Sequence, residues 1–177
     1  MILIGITGSA GSGKDSLADK IINKYSGAIK IAFADPLKLA CKELFQLSCD
    51  QLYVRQEKEK IDPRWNKSPR ELFQIIGSDL LRDRFDEDIF IKSTREKIKK
   101  LSQEHKIIIV TDCRFENETQ LIRDMGGIVI HLKRPNIKRI NDHISENPVK
   151  IMTGDIELVN NSTIDKLLEE IKIIFIV

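Results

Sequence analysis

A glycine-rich segment near the start of the chain has the residue types and the spacing of a phosphate-binding loop. It reads Gly-Ser-Ala-Gly-Ser-Gly-Lys and ends at Lys14, with an apolar strand before it and a helix-periodic segment after it. Glycine lets the backbone curl so that consecutive N–H groups cradle phosphate oxygens, and the lysine adds a mobile charge for the β- and γ-phosphates. The loop is therefore predicted to bind a triphosphate. The predicted binding residues are Gly8, Gly11, Ser12, Gly13, Lys14, Asp15 and Ser16.

Asp15 departs from the usual pattern, in which serine or threonine follows the lysine. The hydroxyl that normally contacts Mg²⁺ is replaced by a carboxylate, which is also a hard oxygen ligand. Asp15 is therefore a candidate metal ligand, directly or through water. In the alternative, it is a helix-start residue that the helix dipole favours. Ser16 supplies a hydroxyl one position later.

A second set of candidates lies at predicted strand ends. The β-branched run over residues 107–110 is typical of a central parallel strand and leads into Asp112 and Arg114. These two are predicted to lie at the carboxyl edge of the sheet, beside the phosphate loop, where Asp112 can bind Mg²⁺ through water and Arg114 can bind a phosphate. In the alternative, they pair with each other or cap the next helix. Asp35 and Lys38, on the first turn after the second strand, are predicted to face the same edge.

A capping box, Ser68-Pro69-Arg70-Glu71, starts a helix with a polar stripe. Arg70, Gln74 and Ser78 recur every four residues and share one face, near a helix start that also favours phosphate. An ordinary solvated face is the alternative. Gly77 lies inside this helix and indicates the close approach of a ligand or another backbone.

A polar stretch follows the fourth strand and is predicted to be a mobile cover loop with arginines available to a phosphate. His143 within it is interpreted as a structural or substrate-contact residue, because phosphoryl transfer requires little of a general base. Trp65, the only tryptophan, is expected to anchor packing rather than to stack on a base.

Five apolar strands alternate with helices, which predicts a three-layer α/β sandwich on a mainly parallel sheet. The 177 residues suit one domain, and the net charge of +2 shows no basic bias that would favour stable nucleic-acid binding. No apolar run approaches the ~20 residues of a membrane span, and the N-terminus has no signal-peptide layout. Cys41, Cys49 and Cys113 have no metal-ligand spacing and are expected to be free thiols in a reducing compartment.

With these motifs placed, the chain resembles the deoxynucleoside monophosphate kinases known chiefly from bacteriophages, within the P-loop nucleoside monophosphate kinase superfamily. The Gly-Lys-Asp ending of the loop is shared with that family, and the resemblance spans nearly the whole chain in order. The matching stretches are residues 12–16, 34–38, 68–80, 112–114, 126–135, 143–146 and 154–160.

The resemblance implies an α/β/α P-loop NTPase fold with a five-stranded parallel sheet in the order 2-3-1-4-5. It implies one kinase domain over residues 1–177, with a substrate-binding helical region at about 35–102 and a lid at about 134–155. It further implies conversion of a deoxynucleoside monophosphate (dNMP) to its diphosphate with ATP and Mg²⁺, in the cytoplasm, or the host cytoplasm for a viral protein. The partners are ATP and the dNMP, with a homodimer left open.

The resemblance, together with the residue types above, gives the candidate sites. The catalytic candidates are Lys14, Arg114 and Arg134, and the metal candidates are Asp15 and Asp112. Asn160 joins the ATP-binding set, near the adenine, and Arg134 and His143 belong to the lid side. The substrate-binding candidates are Asp35, Lys38, Arg70, Gln74, Gly77, Asp79, Arg114, Glu118 and His143.

Two other functions are considered. The first is a P-loop kinase for another small phosphorylated acceptor, such as phosphomevalonate or dephospho-coenzyme A. The second is a nucleotide-binding switch or regulatory module without transferase activity. The chain has no Asn-Lys-x-Asp element of the kind that guanine specificity normally needs. The sequence leaves open which bases are accepted and whether ribose is rejected.

Overall fold

The computed structural model describes residues 1–135 and 149–175. The chain forms two compact units, Met1–Phe33 with Ser93–Val177, and Ala34–Lys92. The second unit overlaps the helical region predicted at about 35–102, while the assignment of one kinase domain over residues 1–177 stays a prediction. His143 and most of the predicted lid lie outside the described residues.

The first unit is built on a five-stranded sheet. Its strands are β1 (Ile2–Thr7), β2 (Ala28–Ile31), β3 (Ile107–Cys113), β4 (Ile128–Lys133) and β5 (Ile156–Val159). Every pairing in the sheet is parallel, and the strands lie in the order β2-β3-β1-β4-β5. The predicted α/β class and strand order are therefore confirmed.

The apolar runs of the sequence explain which strands are central. β1, β3 and β4 are almost entirely buried, as expected for parallel strands covered on both faces. β2 and β5 have four residues each and are only partly buried, which suits the two edges of the sheet.

Among the described residues, helices lie between β1 and β2, between β2 and β3, between β3 and β4, and after β5. They are α1 (Lys14–Lys24), α2 (Asp35–Phe45), α3 (Cys49–Tyr53), α4 (Arg55–Glu59), α5 (Pro69–Gln74), α6 (Ile89–Leu101), α7 (Glu116–Asp124) and α8 (Ile164–Glu170), together with a π-helix (Ile75–Phe85) and a 3₁₀ helix (Lys172–Phe175). Leu17 and Ile21 of α1 and Leu167 of α8 share one buried cluster with the sheet. Ile122 of α7 packs against Gly5 on the opposite face of β1. Helices thus cover both faces of the sheet.

The capping box at the start of α5 forms as predicted. Ser68 N donates to Glu71 Oε2 at 2.7 Å, and Glu71 N donates to Ser68 Oγ at 3.3 Å. After Gln74 the helix widens into the π-helix, in which each N–H binds the carbonyl five residues back. The predicted stripe of Arg70, Gln74 and Ser78 assumed α-helical geometry, and that geometry holds only as far as Gln74.

The structure shows what Gly77 and Trp65 pack against, which the sequence left open. A Cβ atom at Gly77 would lie 2.5 Å from Leu37 Cδ2, so the close approach comes from α2 of the same unit. Trp65 Nε1 donates to Phe45 O at 3.1 Å, and its ring meets the Phe45 ring edge-on with centroids 5.3 Å apart. Trp65 therefore anchors the α4–α5 connection against the end of α2, which agrees with the predicted packing role.

Two chain-wide expectations concern membrane spans and cysteines. Within residues 1–135 and 149–175, no helix is long and apolar enough to cross a membrane. Cys41, Cys49 and Cys113 are free thiols, and burial raises the pKa of Cys41 to about 11.

Candidate active site

The carboxyl ends of three neighbouring strands lie in one row of the sheet. Thr7 of β1 is in register with Cys113 of β3 on one side and with His131 of β4 on the other. The segments that begin at Gly8 and at Arg114 therefore leave the sheet side by side at its carboxyl edge. This is the placement that the sequence predicts for the phosphate loop and for the Asp-x-Arg strand end.

The loop between β1 and α1 has a compact, glycine-dependent shape. Gly8, Gly11 and Gly13 have φ angles of 147°, 82° and 105°, a region of backbone space that side chains disfavour. Lys14 Nζ donates to Gly8 O at 2.6 Å and to Ser9 O at 2.8 Å. The lysine charge is thereby held against the first residues of the loop, at the start of α1.

The ends of β4 and β5 hold the loop from the other side. Lys133 of β4 is in register with Val159 of β5, so the next residues, Arg134 and Asn160, leave the sheet together. Arg134 Nη1 donates to Gly11 O at 3.3 Å, while Asn160 Nδ2 donates to the carbonyl oxygen of Ser12 at 2.8 Å. Two residues that the sequence assigns to catalysis and to ATP thus contact the loop backbone directly.

These two strand ends also line a cavity of about 340 Å³. Its lining residues are Arg134, Pro135, Asn160, Asn161 and Ser162. Apart from the Asn160 amide nitrogen, which donates to the loop, the lining offers guanidinium, amide and hydroxyl groups to a ligand that forms hydrogen bonds. The sequence analysis passed over Asn161 and Ser162, although their position directly after a parallel strand is the same signal that selects Arg114.

At the end of β3, Asp112 and the segment after it are held by hydrogen bonds to the backbone. Asp112 Oδ1 accepts from Phe33 N at 2.7 Å, which joins β3 to the segment after β2. Glu118 is 2% exposed, and its Oε2 accepts from Arg114 N at 2.6 Å and from Phe115 N at 3.1 Å. Glu118, predicted to bind substrate, is buried at the start of α7, where it fixes the backbone at Arg114 instead of presenting its carboxylate at the surface.

Cys113 lies between the two candidates at the end of β3. Its side chain is buried, and burial raises the pKa of the thiol well above its ordinary value, with the nearby charges of Glu118 and Asp112 acting in the same direction. The thiol is therefore protonated at neutral pH and is no nucleophile.

Asp15 and Ser16, at the start of α1, have exposed side chains that suit a hard cation. Asp15 is 76% exposed, and its Oδ1 lies 3.7 Å from the Nζ atom of Lys30, which also pairs with Asp19 at 2.6 Å. Lys30, on β2, is thus an electrostatic neighbour of the Asp15 carboxylate that no local sequence pattern indicates. Among the described residues, no group of three or more His, Cys, Asp or Glu side chains could hold a metal ion.

A buried ion cluster lies in the same unit, behind the strand ends. Asp155 Oδ2 accepts from Arg123 Nη2 at 2.7 Å and from Met152 N at 2.8 Å, and it lies 2.8 Å from His131 Nε2. Burial alone would raise the pKa of Asp155, but the hydrogen bonds from these three groups lower it to about 2. The cluster ties the segment before β5 to α7 and β4.

In the second unit, the predicted substrate residues lie on the helical segments. Arg70 Nε donates to Glu59 Oε1 at 2.6 Å, so the arginine of the capping box pairs with a carboxylate on α4. Lys38 Nζ lies 5.4 Å from the centroid of the Tyr53 ring, within cation–π distance. These two cations are therefore held by neighbouring side chains of their own unit.

The remaining candidates of the second unit differ in exposure. Asp79 is exposed on the π-helix, while Gln74 at the end of α5 and Asp35 at the start of α2 are half-buried. Gly77 is buried against Leu37, which explains the glycine by packing within the unit. Of the charged candidates in this unit, Asp79 is exposed, whereas the Arg70 side chain is only 16% exposed in its pair with Glu59.

Comparison with known proteins gives one family and several viral relatives. A family model described as deoxynucleotide monophosphate kinase matches residues 48–171. The chain is 42% identical to a putative deoxynucleotide monophosphate kinase of Acanthamoeba polyphaga mimivirus, over 97% of this chain and 94% of the relative.

Two phage proteins are more distant and are matched only in part. The chain is 33% identical to the deoxynucleotide monophosphate kinase of Enterobacteria phage T4, over 63% of this chain and 46% of the phage protein. It is 33% identical to the deoxynucleoside-5'-monophosphate kinase of Escherichia phage T5, over 52% of this chain and 39% of the phage protein. The chain thus spans less than half of each of these phage relatives, but nearly all of the mimivirus one.

Proposed function

Because the chain belongs to the deoxynucleotide monophosphate kinase family, as its sequence motifs predict, we propose that it phosphorylates dNMPs with ATP. The products are a deoxynucleoside diphosphate and ADP. One observation supports this most: the phosphate loop and Arg114 leave the sheet side by side, and both are held through their backbones. Such a site can hold a triphosphate beside a second phosphate group.

The reaction is an in-line transfer of the γ-phosphoryl group. An oxygen of the dNMP phosphate forms a bond to the γ-phosphorus, and the bond from that phosphorus to the β–γ bridging oxygen breaks, leaving ADP. The acceptor oxygen is already anionic, so no strong general base is needed. Lys14 and the N–H groups of the loop neutralise the donor phosphates, and Arg114 and Arg134 neutralise charge that develops during transfer.

The donor set at this edge suits Mg²⁺, which has a strong preference for oxygen ligands. We assign the carboxylates of Asp15 and Asp112 and the hydroxyl of Ser16 to the metal that accompanies ATP. Bound Mg²⁺ would screen the negative charge of the phosphates. Lys30, beside Asp15, limits how much negative charge this corner of the site presents.

Side chains of the helical unit are assigned to the acceptor, and Arg114 of the first unit is assigned to a phosphate on its own evidence. Arg70 and Lys38 provide positive charge for the monophosphate, and Asp35, Gln74 and Asp79 provide polar contacts. Glu118 contributes indirectly by fixing the backbone at Arg114. His143 stays a proposed contact of the lid side.

The two other functions considered are not favoured. Membership of this family argues against phosphomevalonate or dephospho-coenzyme A as the acceptor. A module that binds ATP without transfer is not favoured, because the matching family model and the relatives are described as kinases.

A panel of acceptors tests the proposed activity. Purified protein with ATP and Mg²⁺ should release ADP with one or more of dAMP, dCMP, dGMP and dTMP, and much less with phosphomevalonate or dephospho-coenzyme A. Lys14→Ala should lower kcat by about 10²- to 10³-fold because it removes a charge that stabilises the transition state.

The matched control for Lys14→Ala is Lys20→Ala, which removes an exposed lysine of α1 that pairs with Asp165. This control should keep wild-type activity. ATP binding without ADP release in the presence of any dNMP would contradict the proposed function. It would favour a nucleotide-binding module.

A further inference from the structure

We propose that Asn160 is a positioning residue that sets the shape of the phosphate loop and does not read the base of the donor nucleotide. This inference rests on the proposed function only in taking ATP as the donor. It departs from the adenine contact that the family resemblance implies for this residue.

Asn160 is fixed at both its backbone and its side chain. Its backbone N–H donates to Lys133 O at 2.7 Å, which holds the residue against the end of β4. Its Nδ2 donates to Ser12 O at 2.8 Å, and the residue is only 8% exposed. The amide nitrogen is therefore directed at the loop backbone, across 148 positions of sequence.

The loop has a space that fits this amide. A Cβ atom at Gly13 would lie 2.6 Å from Nδ2 of Asn160, so any side chain at position 13 would displace the amide. Gly13 also has a φ of 105°, which favours glycine for a second reason. The sequence motif and the distant asparagine are thus complementary parts of one contact.

The geometry of the peptide bond shows what the contact does. The carbonyl of Ser12 and the N–H of Gly13 belong to one planar peptide group and point in opposite directions. A hydrogen bond that fixes Ser12 O therefore also fixes the direction of Gly13 N–H. In a phosphate-binding loop, such N–H groups are the donors that cradle the anion. The side-chain amide of Asn160 thus orients the Gly13 N–H, which donates a hydrogen bond to phosphate, and does not itself bind the nucleotide.

The experiment compares three ligands that share phosphates but differ in base. Isothermal titration measures the affinity of wild type and Asn160→Ala for ATP, GTP and inorganic tripolyphosphate. The variant should bind all three more weakly by the same factor, about three- to tenfold, because one hydrogen bond that orients the loop is lost. The control is Asn23→Ala, at an exposed position of α1, which should change none of the three affinities.

Two results would overturn the inference. A loss confined to ATP, with the tripolyphosphate affinity unchanged, would make Asn160 a base contact. Unchanged affinities with a lower melting temperature would make it a purely structural residue. Binding requires no acceptor, so a protein that shows the uniform loss but phosphorylates no dNMP would disprove the proposed function and leave the role of Asn160 intact.

Discussion

The phosphate-loop edge of the first unit and the α5 region of the second unit hold their charged residues in different ways. At the loop edge, Lys14 and Asn160 bind backbone carbonyls, and Glu118 binds backbone N–H groups. In the α5 region, Arg70 is held by another side chain, that of Glu59. A main-chain contact fixes the direction of a group, whereas an arginine paired with a carboxylate can exchange that partner for a ligand phosphate.

This difference predicts different roles for the two regions in catalysis. The backbone of Arg114 is fixed by Glu118, and we expect its guanidinium to act mainly in the transition state, so that its loss falls on kcat. An arginine that must leave a carboxylate to reach a substrate contributes to binding, so its effect falls on KM. The comparison can be tested by measuring both constants for one arginine from each region.

The largest expected effect is that of Arg114→Ala. Removing the guanidinium should lower kcat by about 10²- to 10³-fold, because its charge is needed most in the transition state. The affinity for ATP, measured by titration, should stay within about twofold, because Arg114 is assigned to the acceptor phosphate and not to ATP.

The control for Arg114→Ala is Arg95→Ala, on α6 of the same unit, which should be near wild type in both constants. A variant at position 114 that loses only ATP affinity would place this arginine on the donor. The proposed division between fixed and exchangeable groups would then fail.

A smaller effect is expected for Arg70→Ala, and it should fall on the acceptor. Loss of one charge-assisted hydrogen bond should raise the KM for the dNMP by about tenfold or more, with kcat and the KM for ATP little changed. Steady-state kinetics with each substrate varied in turn measures all three constants.

Glu59→Gln sharpens the same comparison. Removing the carboxylate that competes for Arg70 should leave the KM for the dNMP unchanged or lower it by up to about fivefold. If both variants raise KM equally, the Arg70–Glu59 pair supports the local structure and Arg70 does not bind the acceptor.

A different kind of effect, on stability rather than on kinetics, is expected for the buried Asp155 cluster. The pKa of Asp155 in the folded protein is about 2, below the ordinary value of 3.8, so its contribution is present above pH 3.8 and is lost as the pH falls towards 2. Urea unfolding should show a loss of about 2 kcal/mol over this range that Asp155→Asn does not show.

The control for the cluster is Asp165→Asn, whose carboxylate is 70% exposed in its pair with Lys20. It should follow the wild-type pH dependence. If Asp155→Asn also follows it, the buried pair contributes no more than the surface pair. Burial would then not distinguish the two kinds of contact.

The sequence predicts well whatever depends on neighbouring residues. The apolar runs of β1, β3 and β4 give the central strands, the glycine spacing gives the phosphate loop, and Ser68 with Glu71 gives a helix start. Each of these signals is complete within a few positions of the chain. The strand order came from the family resemblance, and the structure confirms it.

Contacts between distant residues could not be predicted in this way. Nothing local to Asn160 indicates that its amide binds Ser12 O, 148 positions away in the sequence. The sequence also did not predict the π-helix after Gln74, because a change of hydrogen-bond register within a helix leaves no periodic signal of its own. The roles of the site residues stay predictions until the variants are measured.

The packing of Trp65 has a practical consequence for spectroscopy. The chain contains one tryptophan, and it lies in the unit Ala34–Lys92, with its indole N–H bound to Phe45 O. Intrinsic fluorescence excited at the red edge of protein absorption therefore reports on the helical unit alone, whereas circular dichroism reports on the whole chain. The fluorescence of Trp65 can therefore be used to follow the melting of the helical unit separately from that of the sheet.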